Sequence, residues 1–206
     1  IDTNLNIEIN NLSDNSKQIE QNGLFFAIKG IKSDGNNYVN DAIKNGAVAI
    51  VTEEDIETTV PVIKVKDAQY AYNNALNIFF DNPLDKLKVI SVTGTDGKTT
   101  VAEIIYQLLN NYAHAGYIGT NGIKYKKFKM ENDHTTPMPY ELFKAFSEFR
   151  NLGCNYVAME SSSERLYTRK LDCINFDVAI FTNLTRDHLD THKTMETYAK
   201  AKALSF

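Results

Sequence analysis

Cysteine is scarce in this 206-residue sequence, basic residues are in no surplus, and no long apolar run occurs. The two cysteines, Cys154 and Cys173, are too few for a disulfide framework and lack metal-ligand spacing, so both read as packing residues in a reducing compartment. Lysine and arginine total 22 against 26 acids, a net charge of −4, which leaves no basic stripe to neutralise a polynucleotide backbone. Nucleic acid is therefore not an expected partner. No apolar stretch approaches the roughly 20 residues of a membrane span. The opening IDTNLNIEINN has neither a charged leader nor an apolar signal core. The expectation is a cytoplasmic monomer without membrane contact. What remains is ordinary: 43% hydrophobic residues, enough for one large domain or two small ones. A start at Ile1 and a stop at Phe206 inside a helical-looking run suggest trimmed ends.

Short β-rich runs at 24–28, 47–51 and 62–65, with a helical stretch 38–45 closed by Gly46, predict a small α/β unit. A helix over 68–80 follows, and Asp81-Asn82-Pro83-Leu84-Asp85-Lys86 combines a proline with turn formers. The domain boundary is placed there, giving domains 1–84 and 85–206. Beyond it strands (to Thr93, then 115–119, 156–159 and 177–181) alternate with helices (98 to about 112, 140–152 and from Thr194). Such alternation implies a mainly parallel sheet with helices on both faces, whose ligands gather at the carboxyl ends of the strands.

Three segments fall on that rim: Gly94–Thr100, Glu160–Ser163 and Asn183–His188. The first, GTDGKTT, has the makings of a phosphate cradle, with glycines that open the backbone, a helix start and Lys98. The spacing G-x-x-x-x-G-K-[ST] fails, because Val92 stands five residues before Gly97. A glycine turn before an ordinary helix is the competing account. Glu160 alone would serve as well as a helix cap or a solvated group, and His188 alone as a structural histidine. Together on one rim, a carboxylate and an imidazole beside a cradle suit magnesium-assisted phosphoryl transfer.

The ordered set GTDGKTT, HTTP (His134 to Pro137), MESSSER, FDVAIFTNLTRDHLD and YAKAKALSF resembles the motifs of the Mur ligases, which build the peptide of peptidoglycan precursors. Among them it is most similar to the branch adding the third amino acid to UDP-N-acetylmuramoyl-L-alanyl-D-glutamate. The stretch from Asn15 to Val51 resembles that family's uridine-nucleotide-binding domain. The resemblance implies a small N-terminal α/β domain, a mostly parallel-sheet P-loop-type ATPase domain that is incomplete here, and a C-terminal domain lying outside these residues. It implies ATP and Mg2+ as cofactors, with UDP-N-acetylmuramoyl-dipeptide and an amino acid as small-molecule substrates. A substrate carboxylate would take the γ-phosphate as an acyl phosphate, and the incoming amine would displace phosphate.

Position by position, the resemblance implies ATP contacts at Gly94, Thr95, Asp96, Gly97, Lys98, Thr99, Thr100 and Asn183. Ser16, Thr135, Thr136, Ser162 and Lys170 would meet the UDP-muramoyl substrate. Thr99, Glu160, His188 and Lys202 would serve magnesium, the last as a carbamate, and Lys98, Glu160, His188 and Lys202 would form the catalytic set. Lys200 competes with Lys202, but Lys202 shares a helix face with Tyr198. The sequence departs from the family at Asn15 and Lys17 (usually aspartate and arginine), at Asp96 (usually asparagine), at Glu164 (usually histidine) and at Lys170 (usually arginine), which cannot form a bidentate fork; Arg169 could compensate for it. A folylpolyglutamate synthase, which has no comparable N-terminal domain, and a catalytically silent nucleotide-binding module are the rival readings. The 206 residues alone are expected not to turn over.

Overall fold

The computed structural model describes residues 6–31 and 33–206. The chain divides into two compact units, Ile1–Leu76 and Asn77–Phe206.

The first unit holds a four-stranded, all-parallel sheet in the order β1 (Asn11–Ser13), β2 (Gly23–Phe26), β3 (Ala47–Thr52), β4 (Val62–Lys64). Helix α1 (Val39–Lys44) follows a 3-10 turn at Gly35–Tyr38 and stops where Gly46 takes a positive φ of 116°. Its Val39 and Ala42 close over Phe25, Ala47 and Ile50 to make one core. Ser16 opens a second 3-10 turn, Ser16–Gln18.

Helix α2 (Ala68–Phe79) contains the division between the units, and the Asp81–Lys86 link lies in the second one. The second unit is a six-stranded sheet ordered β10-β5-β9-β6-β7-β8. Strands β5 (Lys88–Thr93), β6 (Ala115–Gly119), β9 (Tyr156–Glu160) and β10 (Val178–Phe181) pair in parallel. The strands β7 (Gly122–Tyr125) and β8 (Phe128–Met130) add an antiparallel hairpin on the β6 side. The expected mainly parallel sheet is present, and the hairpin is the departure from the sequence reading. Its two-residue link is Lys126-Lys127, with Lys126 at φ 52°, so the usual Asn-Gly or Asp-Gly mark of a hairpin is missing.

Helices α3 (Lys98–Asn110) and α4 (Pro139–Asn151) connect the parallel strands, as a parallel sheet requires. The α4 stretch starts on Pro139, carries Glu141 in its first turn, and buries Leu142, Phe143, Ala145, Phe146 and Phe149 at helical spacing. Gly153 ends it in the left-handed conformation, φ 82°. Short helices α5 (Ser163–Tyr167) and α6 (Leu189–His192) precede α7 (Met195–Ala203). The carboxyl ends of β5, β6, β9 and β10 thus share one rim, where Thr93, Gly119, Glu160 and Phe181 stand.

The sheet and α4 meet closely at Gly116, where an added Cβ would lie 2.5 Å from Cε2 of Phe149. Gly116→Ala is expected to cost about 1–3 kcal/mol through overpacking; a denaturant midpoint equal to that of the wild type would contradict this packing.

Candidate active site

The rim is organised around Glu160, the last residue of β9, which is fully buried. Its Oε2 accepts from Thr99 Oγ1 at 2.9 Å and Thr120 Oγ1 at 3.3 Å. Its Oε1 accepts from the Tyr117 hydroxyl at 2.6 Å and the Thr120 backbone N–H at 2.9 Å. Strand β6, its following turn and α3 therefore all donate to one side chain. A Cβ on Gly119 would collide with Oε1, so only glycine lets the carboxylate approach this closely. Burial, together with the bond to Glu160, raises the Tyr117 phenol above its ordinary value, so it remains a donor.

The GTDGKTT loop joins β5 to α3. Gly94 has φ 150°, and a Cβ there would strike the Thr182 hydroxyl; Gly97 precedes the helix at φ 80° with open space where its Cβ would be. No side chain caps α3. An α-helix leaves its first backbone N–H groups without intrahelical acceptors, so Lys98, Thr99 and Thr100 begin a helix whose positive end is open to an anion. Lys98 Nζ donates to the carbonyls of Gly94 (3.0 Å) and Thr95 (2.7 Å) and thereby lies along the loop. Thr95 anchors the loop from below: its hydroxyl accepts from Thr185 N–H at 3.0 Å and lies 3.2 Å from the Tyr198 hydroxyl. Asn183 clasps Asp96, accepting from its N–H at 3.0 Å and donating to its carbonyl at 3.1 Å. The Asp96 carboxylate faces the Thr185 hydroxyl at 3.5 Å. These features suit a nucleotide triphosphate: backbone donors at a helix start, a lysine point charge, and a threonine hydroxyl next to a buried carboxylate.

Lys202 of α7 is buried, 2% exposed, and its Nζ donates to the Gly94 carbonyl at 2.6 Å while lying 4.4 Å from the centre of the Tyr198 ring. Lys200 points elsewhere, exposed and paired with Glu196 at 2.7 Å. Burial, assisted by the charge of Lys98, brings Lys202 down to about 8.

Other expected residues are placed differently. His188 is exposed, in the left-handed region at φ 51°, with Asp187 at 3.5 Å and the Tyr198 ring 5.8 Å away. Among the described residues no three His, Cys, Asp or Glu side chains gather as a ready metal centre. Thr136 spends its hydroxyl on structure, donating to the Glu160 carbonyl at 2.8 Å and accepting from Ser162 N–H at 2.9 Å. Thr135 accepts from Thr120 at 3.3 Å, and Ser162 caps α5. Arg169 pairs with Asp172 at 2.7 Å, while Lys170 Nζ lies 3.6 Å from the Met138 sulfur. Ser16 is buried in the first unit, its carbonyl accepting from Asn45. Sequence reasoning passed over Tyr117, Gly119 and Thr120, although Gly119 ends a strand on the same rim and Thr120 follows it. It also passed over His192, whose Nε2 lies 2.9 Å from the Ser163 hydroxyl.

Residues 92–206 match the Mur ligase middle domain, and residues 8–92 match the model described as Mur ligase family, catalytic domain. This chain belongs to the Mur ligase family. It is 42% identical over 206 residues, 98% of its length, to the UDP-N-acetylmuramoyl-L-alanyl-D-glutamate--2,6-diaminopimelate ligase of Caldanaerobacter subterraneus subsp. tengcongensis, of which it covers 43%. A solved structure of a ligase with that same name matches with a TM-score of 0.78 at 27% identity, over 95% of this chain and 40% of the other. MurF from Thermotoga maritima in complex with ADP matches at 24% identity with a TM-score of 0.59, covering 95% of this chain and 42% of that one, a likeness of fold. The chain thus spans less than half the length of the relatives it matches. No described helix is long and apolar enough to cross a membrane.

The depressed Lys202 value has a thermodynamic signature. Between about 8 and the ordinary 10.5 the folded chain holds fewer protons at this site than the unfolded chain, so the contribution of Lys202 to stability rises with pH across that window. Comparing wild type with Lys202→Met by denaturant titration at several pH values should show the wild type gaining relative to the variant from pH 8 to 10.5. Parallel curves would contradict the buried placement.

Proposed function

We propose that this chain is the uridine-nucleotide and ATP-binding portion of a ligase that joins an amino acid to UDP-N-acetylmuramoyl-L-alanyl-D-glutamate through an acyl phosphate. The observation that carries the reading is the open, glycine-led start of α3, with Lys98 along the loop and Thr99 bonded to a buried carboxylate. A separate N-terminal sheet unit favours it over a folylpolyglutamate synthase.

In this proposal the phosphates of ATP lie on the N–H groups at the start of α3, and Lys98 turns from its carbonyls to the β- and γ-oxygens. Asn183 and Asp96 hold the outer wall of the cradle. The substrate carboxylate attacks the γ-phosphorus, ADP leaves, and the amine then attacks the carbonyl of the acyl phosphate and expels phosphate. Two anions must meet, so the site needs positive charge where they approach. Magnesium, when bound, would offset that repulsion, with Thr99, Glu160, His188 and Lys202 as its holders. Lys202 would serve as a carbamate, formed by its neutral amine with carbon dioxide; its burial and the nearby charge of Lys98 support this by disfavouring the ammonium. Ser16 would take the uridine nucleotide, and Thr135, Ser162 and Lys170 the muramoyl-peptide part. Thr136 would act by holding Ser162 and the end of β9. A cytoplasmic monomer is the proposed state.

Titration calorimetry with ATP and with the UDP-muramoyl dipeptide, run separately, tests the reading. Lys98→Ala is expected to weaken ATP about tenfold or more and leave the dipeptide unchanged, and Ser16→Ala to do the reverse. Unaltered ATP affinity in the Lys98 variant would remove the cradle from the reading. For the carbamate, carbon-13 bicarbonate should yield a carbamate resonance that Lys202→Ala lacks; a spectrum without one would refute that assignment.

A further inference from the structure

The most constrained group on the rim is not in the cradle but beside it. Tyr117 is completely buried in β6, and its hydroxyl makes the shortest of the bonds to Glu160, 2.6 Å. Its ring is held as well as its tip. Lys124 of β7 lies 4.7 Å from the ring centre while donating to Glu103 of α3 at 2.6 Å, and Tyr106 packs with its centroid 6.0 Å away. The aromatic face is thus covered by an ammonium that is itself tied to a carboxylate, an arrangement that resists rotation of the ring. The two oxygens of Glu160 are consequently unequal. Oε1 is held by Tyr117 and a backbone N–H; Oε2, among the described residues, accepts from two threonine hydroxyls, whose O–H can turn and whose oxygen can also accept.

We propose that Tyr117 is the positioning residue that makes Glu160 a one-sided ligand, pinning Oε1 so that Oε2, with Thr99, is the face offered to a nucleotide-bound divalent cation. The inference rests on the proposed nucleotide reading of the cradle and deepens it. A carboxylate free to rotate would have to be ordered each time a cation arrived, whereas a pinned one is already oriented. Lys124 and Glu103 extend the same restraint outward, so the hairpin β7–β8 helps to orient a side chain it does not touch.

Tyr117→Phe keeps the ring and removes only the hydroxyl. The measurement is calorimetric affinity of the 206-residue chain for ATP, once with excess magnesium and once with a chelator. The expected result is an ATP affinity unchanged in chelator and about tenfold weaker with magnesium. Equal weakening in both conditions would show a general structural role and overturn the proposal, as would unchanged affinity in both. A wild-type chain whose ATP affinity ignores magnesium would instead sink the nucleotide reading, and this inference with it. Should Tyr117→Phe lose its cooperative melting transition, Lys124→Met takes its place. That variant is expected to weaken only the magnesium-dependent affinity, about threefold, and no effect there would overturn the assignment.

Discussion

A fully buried carboxylate must find its partners inside the protein, because water is no longer there to supply them. Glu160 finds its own in two separate stretches of the sequence: the first turn of α3, and β6 with the turn that follows it. Its backbone carbonyl is claimed by Thr136, which in turn receives Ser162. The loops on this side of the sheet are therefore spaced by one residue's hydrogen-bond demand. Gly119 is a dependent of the same demand, since a methyl group there would occupy the place of Oε1.

Around this centre the phosphate-type loop is built with very little side-chain bulk. It is braced from α7 and from the segment after β10, by Tyr198, Thr185, Thr182 and Asn183, while its outer surface is left bare at Gly97. The division of labour is physical. Side chains on the inner side fix the path of the backbone, and the backbone presents its own N–H groups on the outer side. The absence of the longer glycine spacing is then unimportant to the anion-binding chemistry, which needs the open helix start and a loop that returns to it.

The regular elements were legible in the sequence because their burial has a clear period. In α4 the apolar residues recur at helical spacing between Pro139 and Gly153, and β5 is rich in β-branched residues (Val89, Ile90, Val92, Thr93) and is followed by Gly94. The β7–β8 hairpin was missed because lysines dominate GIKYKKFKM and its turn uses lysine where glycine or asparagine would mark it. Helices α5 and α6, of five and four residues, are too short to show a helical period. At the site, motif order singled out candidate residues but not their partners. Tyr117 reads as one more core aromatic, and only the packing of β6 beside β9 brings its hydroxyl to Glu160. The bonds of Thr136 to the end of β9 and to Ser162 were likewise invisible, because a threonine's partners cannot be read from its sequence position.

The carbonyl of Gly94 receives two lysines, Lys98 from the loop's own helix and Lys202 from α7. A carbonyl oxygen has two lone pairs, so both bonds coexist. In the proposed ATP reading, Lys98 would swing toward an incoming phosphate and leave an oxygen still held by Lys202, and a carbamate nitrogen at that position would keep one N–H for the same bond. On that reading the loop could lend out the Lys98 charge without losing its shape, and the arrival of the anion would need little reorganisation.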